Sequence, residues 1–459
     1  MSLFFFITAC IAGLVILASS IGHYKYNDTF HPLIFTFPIA GFLYVYSPLA
    51  LHIKGELLPY LNSTELIYVQ FLNVLCLSAL FIGCMLGSKG VRRHPAKRDV
   101  HYYQMTLTWQ RRLYAMSLLL GGVGFALYAY GLINVGGFVD AYSRAKGGGA
   151  AASGYLRDFT ILTLPATLLL YMSRYRSGWR YTDTLLIVLF SAPYLVHGLL
   201  SARRGPTFLG IAILAGGWYL TRYRRPSFRT LATGGALVGV LLLVLVTYRG
   251  QIYLGSDFLS ESEGITAMVE RSLEKRSEGA YGNEFIYGST AVLLARDSGE
   301  FYWGKRYLTY LFIRPIPSFI WENKYEDVGM EVLKSNAGVI RFDLNPQATE
   351  SIPLGAAPGF ITDFFVEFYW GAVLASMLIG IGFSTLWRYN IVYGGLWTVI
   401  YGVLLGLSLY FMTQTFGAFM FRFLEVAIVV YIVWKYYRRR HYRSEQKRRN
   451  IALRKRTIS

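Results

Sequence analysis

Apolar runs recur along the chain near 2–20, 31–50, 66–87, 112–134, 155–173, 182–200, 206–221, 230–248, 359–387, 392–412 and 416–434. Most approach the ~20 residues that carry a helix across a bilayer, so the pattern predicts about eleven transmembrane helices. Between Tyr248 and Ile361 the runs stop, and the intervening loop holds 15 of the chain's 26 carboxylates. The expected organisation is therefore one all-α polytopic membrane domain. Helices one to eight fall in 1–248, a large external loop in 249–358, helices nine to eleven in 359–434, and a basic tail in 435–459. No Gly/Ser/Pro linker separates a soluble domain, and no repeat of fixed period is visible.

Composition agrees with this class: 54% of residues are hydrophobic and 17% aromatic. A net charge of +19 raises the question of nucleic acid, but its distribution argues for a membrane instead. Lys89, Arg92, Arg93, Lys97, Arg98, Arg111 and Arg112 follow helix three. Arg174, Arg176 and Arg180 follow helix five, and Arg222, Arg224, Arg225 and Arg229 follow helix seven. With eleven spans these groups and the tail share one side, which the positive-inside rule makes cytoplasmic. The tail then reads as a topology determinant that also touches anionic lipid heads. The acidic loop is then expected to face the periplasm or cell exterior. Cys10, Cys76 and Cys84 all lie within predicted spans, so no disulfide framework is expected. The first segment lacks a basic n-region and a small-residue cleavage site, so it is expected to be a retained helix.

The informative basic residues are those on the outer side, where topology does not call for them. Arg203 and Arg204 sit in Ser-Ala-Arg-Arg-Gly-Pro, a tight turn before a helix whose first N–H groups favour an anion. Arginine offers a planar fork suited to phosphate oxygens; a solvated turn is the plain alternative. Arg422 lies about two turns into the last helix. A charge there costs roughly 2.5–3.5 kcal/mol on insertion scales, so it is expected to face a partner, such as Glu425, or a polar cavity. Arg314, in Phe-Ile-Arg-Pro-Ile-Pro, belongs to a stretch expected to be extended. Arg249 ends helix eight. Arg144, Lys146 and Arg157 surround a glycine-rich segment, 147–154, that reads as a flexible connector or a closing flap.

Two acids carry candidate proton chemistry. Asp363 and Glu367 are one helical turn apart and face the same way. Asp363 can complement a helix dipole. Glu367 is flanked by aromatics in Phe-Phe-Val-Glu-Phe-Tyr-Trp-Gly, where desolvation suits a general base unless an arginine offsets it. It can equally be the buried partner of an outer arginine. None of the seven histidines lies in the long loop or is spaced for a metal. No nucleophile elbow and no P-loop is present, and no cofactor is expected.

Taken together, the chain resembles the Wzy-type oligosaccharide repeat-unit polymerases. The architecture of many spans, one large external loop before the last three and a basic tail carries most of the likeness. Ser-Ala-Arg-Arg-Gly-Pro-Thr (201–207) is similar to an Arg-containing turn before a helix, and Glu-Phe-Tyr-Trp-Gly (367–371) to an acidic-aromatic-glycine pattern opening a late helix. Arg314-Pro-Ile-Pro and Phe-Arg-Phe (421–423) resemble a proline-rich loop and a late-helix arginine. The resemblance implies a GT-C-like membrane glycosyltransferase. It would transfer a growing glycan from undecaprenyl diphosphate to the non-reducing end of another lipid-linked repeat unit. Arg203, Arg204, Arg314 and Arg422 would hold the diphosphate, Arg249, Arg144 and Arg157 would add substrate contacts, and Glu367 or Asp363 would take the proton. Trp303, Tyr307, Trp321 and Trp370 can stack on sugars or anchor at the interface. Membrane lipids are partners, and a polysaccharide chain-length regulator is admitted as one. Two rival readings stay open. An O-antigen ligase shares the donor but is expected to use a loop histidine, which this loop lacks. A lipid-linked glycan flippase would place charge in central spans and show an inverted repeat.

Overall fold

The computed structural model describes residues 2–91, 107–144, 155–175, 178–222, 225–256, 267–268, 283–333 and 357–458, with the side chains of 155–157, 246, 332 and 442–458 outside the described set. Every regular element among them is helical. In chain order the principal helices begin with α1 (Ser2–Lys25), α2 (Pro32–Ile53), α3 (Ser63–Gly87) and α4 (Leu107–Asn134). Then come α5 (Asp158–Ser173), α6 (Tyr181–Leu200), α7 (204–221) and α8 (Phe228–Leu245). The remainder are α9 (Glu284–Ser298), α10 (Gly359–Phe368), α11 (Gly371–Tyr393), α12 (Leu396–Thr413) and α13 (Phe416–Ile458). All except α5, α7, α9 and α10 are long and apolar enough to cross a membrane, nine among the described residues. The chain is a multi-pass helical membrane protein.

Local sequence explains where several helices start and stop. Asn62 accepts from the N–H groups of Thr64 and Glu65, while Glu65 accepts from the Asn62 N–H, a reciprocal cap that opens α3. At α9 the Asn283 side chain accepts from the Phe285 and Ile286 N–H groups, and Gly299, at φ 68°, ends the helix in the left-handed conformation.

Three sequence expectations need correction. The runs at 155–173 and 206–221 are helical as α5 and α7, but neither reaches the length and apolarity of the other nine. The run at 359–387 is not one helix. The loop N–H groups of Tyr302 and Trp303 donate to the carbonyls of Val366 and Glu367 at 3.1 and 2.7 Å. Those oxygens, free at any helix C-terminus, are thereby satisfied, and Tyr369 turns to φ 54° before α11 begins. The segment 314–316 departs from the extended conformation expected of it: Arg314 keeps helical dihedrals and its N–H donates to the Thr309 carbonyl at 2.8 Å. The last helix continues through the basic tail to Ile458.

Polar contacts sort the chain's turns into two groups. In the first, Arg225 pairs with Asp28 at 2.6 Å and Trp387 Nε1 donates to Asp28 at 3.0 Å. His31 bonds Ser88 at 2.9 Å, and Arg388 donates to the Lys89 carbonyl at 3.2 Å. In the second, Arg204 pairs with Glu284, Arg314 with Asp158 at 3.0 Å, and the Leu254 N–H donates to Tyr142 O at 2.8 Å. Among the described residues, none of these contacts joins one group to the other. The first group contains the basic turns, the second the acidic loop.

The interior is centred on α12, whose residues are almost all buried, while α8 exposes nearly its whole surface, as a lipid-facing helix does. α3 and α11 pack closest of all. A Cβ at Gly83 would collide with the carbonyl oxygen of Met377, one at Gly380 with that of Leu80, and one at Gly87 would lie 2.5 Å from that of Ile381. Small residues four apart are how membrane helices bring backbones together. Gly83→Leu is therefore expected to lower stability by about 1–3 kcal/mol or more, read as an earlier unfolding midpoint in detergent. Gly382→Ala, on the same pair of helices but with open space around it, should leave the midpoint nearly unchanged.

Candidate functional site

At the end of the bundle where the acidic loop lies, two charged clusters adjoin. The deeper one is built on α10. Asp363 and Glu367 are both 0% exposed, and Arg306 from the loop, itself 2% exposed, lies between them. The turn Trp303-Gly304, with φ 52° and 84°, starts the short helical segment 305–313 that carries Arg306. Arg306 Nη2 reaches Asp363 Oδ1 at 2.6 Å and Nε reaches Glu367 Oε1 at 2.5 Å. The remaining carboxylate oxygens are also engaged. Asp363 Oδ2 accepts from the Tyr307 hydroxyl and the Phe416 N–H, each at 2.7 Å, and Glu367 Oε2 accepts from the Gly304 N–H at 2.7 Å. Burial pushes the Glu367 carboxyl up to about 7, against the pull of the Arg306 guanidinium and the Gly304 N–H.

This triad ties three chain segments together: the loop, α10 and the start of α13. For either acid to take a proton from a substrate, its bonds to Arg306 or the neighbouring donors would first have to open. Arg306 escaped the sequence reading. The signal for it was the aromatic density of Phe301, Tyr302, Trp303, Tyr307 and Tyr310, which marks a buried stretch of loop whose arginine needs acidic partners.

The second cluster gathers arginines from three segments. Arg203 is the N-cap of α7, following Ala202 at φ 48°. Gly205 lacks a Cβ where the Tyr410 hydroxyl lies: one there would sit 2.5 Å from it. Pro206 falls third in α7 rather than first, still within the turn whose N–H groups have no helical partner. Arg422 stacks over the Tyr410 ring at 5.0 Å and donates to the Ala418 carbonyl at 2.9 Å. Arg203 and Arg422 both act electrostatically on Tyr410. Arg314 stacks over Phe421 at 4.6 Å, one residue from Arg422, and over Tyr310 at 5.5 Å. The charges of Arg314, Arg306 and Arg422 all reach Tyr310, which joins the two clusters.

The arginines differ in what holds them. Arg314 pairs with Asp158 and Arg204 with Glu284, the first acid of α9. Among the described residues no carboxylate forms a salt bridge with Arg422. Glu425, one turn further along α13, feels Asp158, Arg422 and Arg314, yet neither of its buried oxygens has a hydrogen-bond partner among the described residues. The pairing of Arg422 with Glu425 that the spacing allowed is thus electrostatic only.

Arg249, half-buried, and Arg144, exposed, are not brought into this cluster by any contact among the described residues. Their segments meet each other through the Leu254–Tyr142 hydrogen bond. The Arg157 side chain, Lys146 and the 147–154 segment lie outside the described residues. Among the described residues no group of three His, Cys, Asp or Glu is arranged to hold a metal ion. Trp303 is exposed, whereas Tyr307 is buried in the triad and Trp370 packs against Tyr68 and Phe365. Compared with protein-family models, curated proteins and solved structures, the chain matches none.

Proposed function

We propose that this chain is a membrane glycosyltransferase of the repeat-unit polymerase kind. It crosses a bacterial inner membrane eleven times, with α5 and α7 completing crossings that their neighbours shelter, in a GT-C-like arrangement. The end bearing the Asp28–Arg225 pair faces the cytoplasm, because the basic turns gather there. The acidic loop and both charged clusters face the periplasm. The observation that carries the reading is the convergence of Arg203, Arg314 and Arg422 around Tyr410 and Tyr310.

A glycan carried on undecaprenyl diphosphate presents its scissile bond at this membrane boundary. As the anomeric C–O bond breaks, negative charge develops on the departing diphosphate oxygen. Guanidinium groups already oriented there stabilise that charge without reorganising. Arg422 and Arg203 are the first contacts in this scheme. Arg314 and Arg204 take part by exchanging Asp158 and Glu284 for phosphate, and Arg249, Arg144 and Arg157 contact the glycan more peripherally. Asp363 and Glu367 hold Arg306, and through it the loop segment 305–313, against α13.

The test is direct. Purified protein in lipid nanodiscs, given an undecaprenyl-diphosphate-linked repeat unit, should yield longer lipid-linked glycans and free undecaprenyl diphosphate. Recovery of only the starting unit would remove the polymerase reading. Transfer instead to a lipid A core acceptor would move the assignment to a ligase.

A further inference from the structure

We propose that Glu425 is the group that takes the proton from the attacking sugar hydroxyl; this rests on the glycosyltransferase reading above. Glu425 lies in the apolar part of α13, where a carboxylate is costly and ordinarily paired or functional. Both of its oxygens are buried and neither has a hydrogen-bond partner among the described residues. The acids of the two clusters described above are engaged: Asp363 and Glu367 by Arg306, Asp158 by Arg314, Glu284 by Arg204. A buried polar group without a partner calls for an explanation, and a catalytic role is one that uses its lone pairs.

Its position fits that role. Residues three apart on a helix share a face, so Glu425 sits one turn beneath Arg422, which no carboxylate bridges among the described residues. Among the described residues, the charged and titratable groups that act on it are Asp158 at the start of α5, Tyr194 of α6, Arg314 of the loop and Arg422 of α13 itself. The rim above, Arg314 and Asp158, is reached by solvent, with side chains 27% and 28% exposed. A donor diphosphate on Arg422 and Arg203 would hold its anomeric carbon beside Glu425. An acceptor hydroxyl then gives its proton to the Glu425 carboxylate, and its oxygen lone pair forms the new bond to the anomeric carbon. The bond from that carbon to the diphosphate oxygen breaks, and its electron pair leaves with the diphosphate. Glu425 afterwards returns the proton to water through the Arg314–Asp158 rim.

Glu425→Gln keeps the shape and removes the charge, a change a membrane span tolerates, so folding should survive. Single-turnover transfer from the undecaprenyl-diphosphate-linked unit is expected to fall about 100-fold or more, with donor binding and the unfolding midpoint retained. Glu425→Asp should keep part of the rate and shift the acidic limb of the pH–rate profile, which a packing role would not move. A Gln variant that transfers at the wild-type rate overturns the assignment of Glu425, while wild-type transfer in the same assay leaves the polymerase reading standing. An absence of transfer by the wild type takes down both. A Gln variant that unfolds early while the Asp variant keeps the wild-type rate and pH profile also overturns it, since Glu425 would then serve the fold alone.

Discussion

Arg306→Ala is expected to destabilise the protein by about 3–5 kcal/mol, the cost of leaving buried charges without their counterpart. Asp363 and Glu367 have no exposure to water, so neither can recruit solvent once the guanidinium is gone. The Tyr307, Phe416 and Gly304 donors would remain, but they cannot offset a full charge. The loss should appear as a markedly lower unfolding midpoint in detergent, with early proteolysis of the loop, because Arg306 ties the loop to α10. A double substitution separates charge from packing. Arg306→Met with Glu367→Gln should recover part of the loss, since one buried charge fewer then lacks a partner, and coupled residues of this kind are non-additive. Equal midpoints for the wild type and Arg306→Ala would mean the triad contributes nothing to the fold.

Arg422→Ala is expected to have the largest effect on transfer: about 10²–10³-fold, as when one preorganised donor to a developing negative charge is removed. The fold should be little affected, because among the described residues no carboxylate bridges Arg422 and what is lost there is its bond to the Ala418 carbonyl and its stacking on Tyr410. The paired arginines give the contrast. Arg204→Ala leaves Glu284 buried without its cation and should cost stability as well as rate. Lysine at 422 should rescue poorly, since a point charge cannot reproduce two-point contact with phosphate oxygens. Measured side by side, transfer rate and unfolding midpoint distinguish the two classes of arginine. Arg422→Ala at the wild-type rate would end the case for a diphosphate site at this cluster.

The amino-acid sequence by itself determined that this is a helical membrane protein with two chemically different sides. Apolar runs and loop charges act additively along the chain, so both can be read one segment at a time. It also singled out Arg203, Arg314 and Arg422, because arginines on the outer side are not required by topology. Tertiary structure decided which charges are spent on the fold. Arg306 meets Asp363 and Glu367 from 57 and 61 residues away, and Arg314 meets Asp158 across 156. An arginine or carboxylate looks the same in sequence whether or not a distant partner neutralises it, so Arg306 passed unnoticed and Glu367 stood out for its aromatic neighbours alone. The break at Tyr369 has the same origin. Loop N–H groups more than sixty residues upstream close the end of α10, and no local propensity in an apolar run announces a hydrogen bond made from elsewhere. Glu425, three residues from Arg422, was visible as half of a local pair. Only packing could reveal that its oxygens are buried with no hydrogen-bond partner among the described residues, because burial depends on what the other helices place around it.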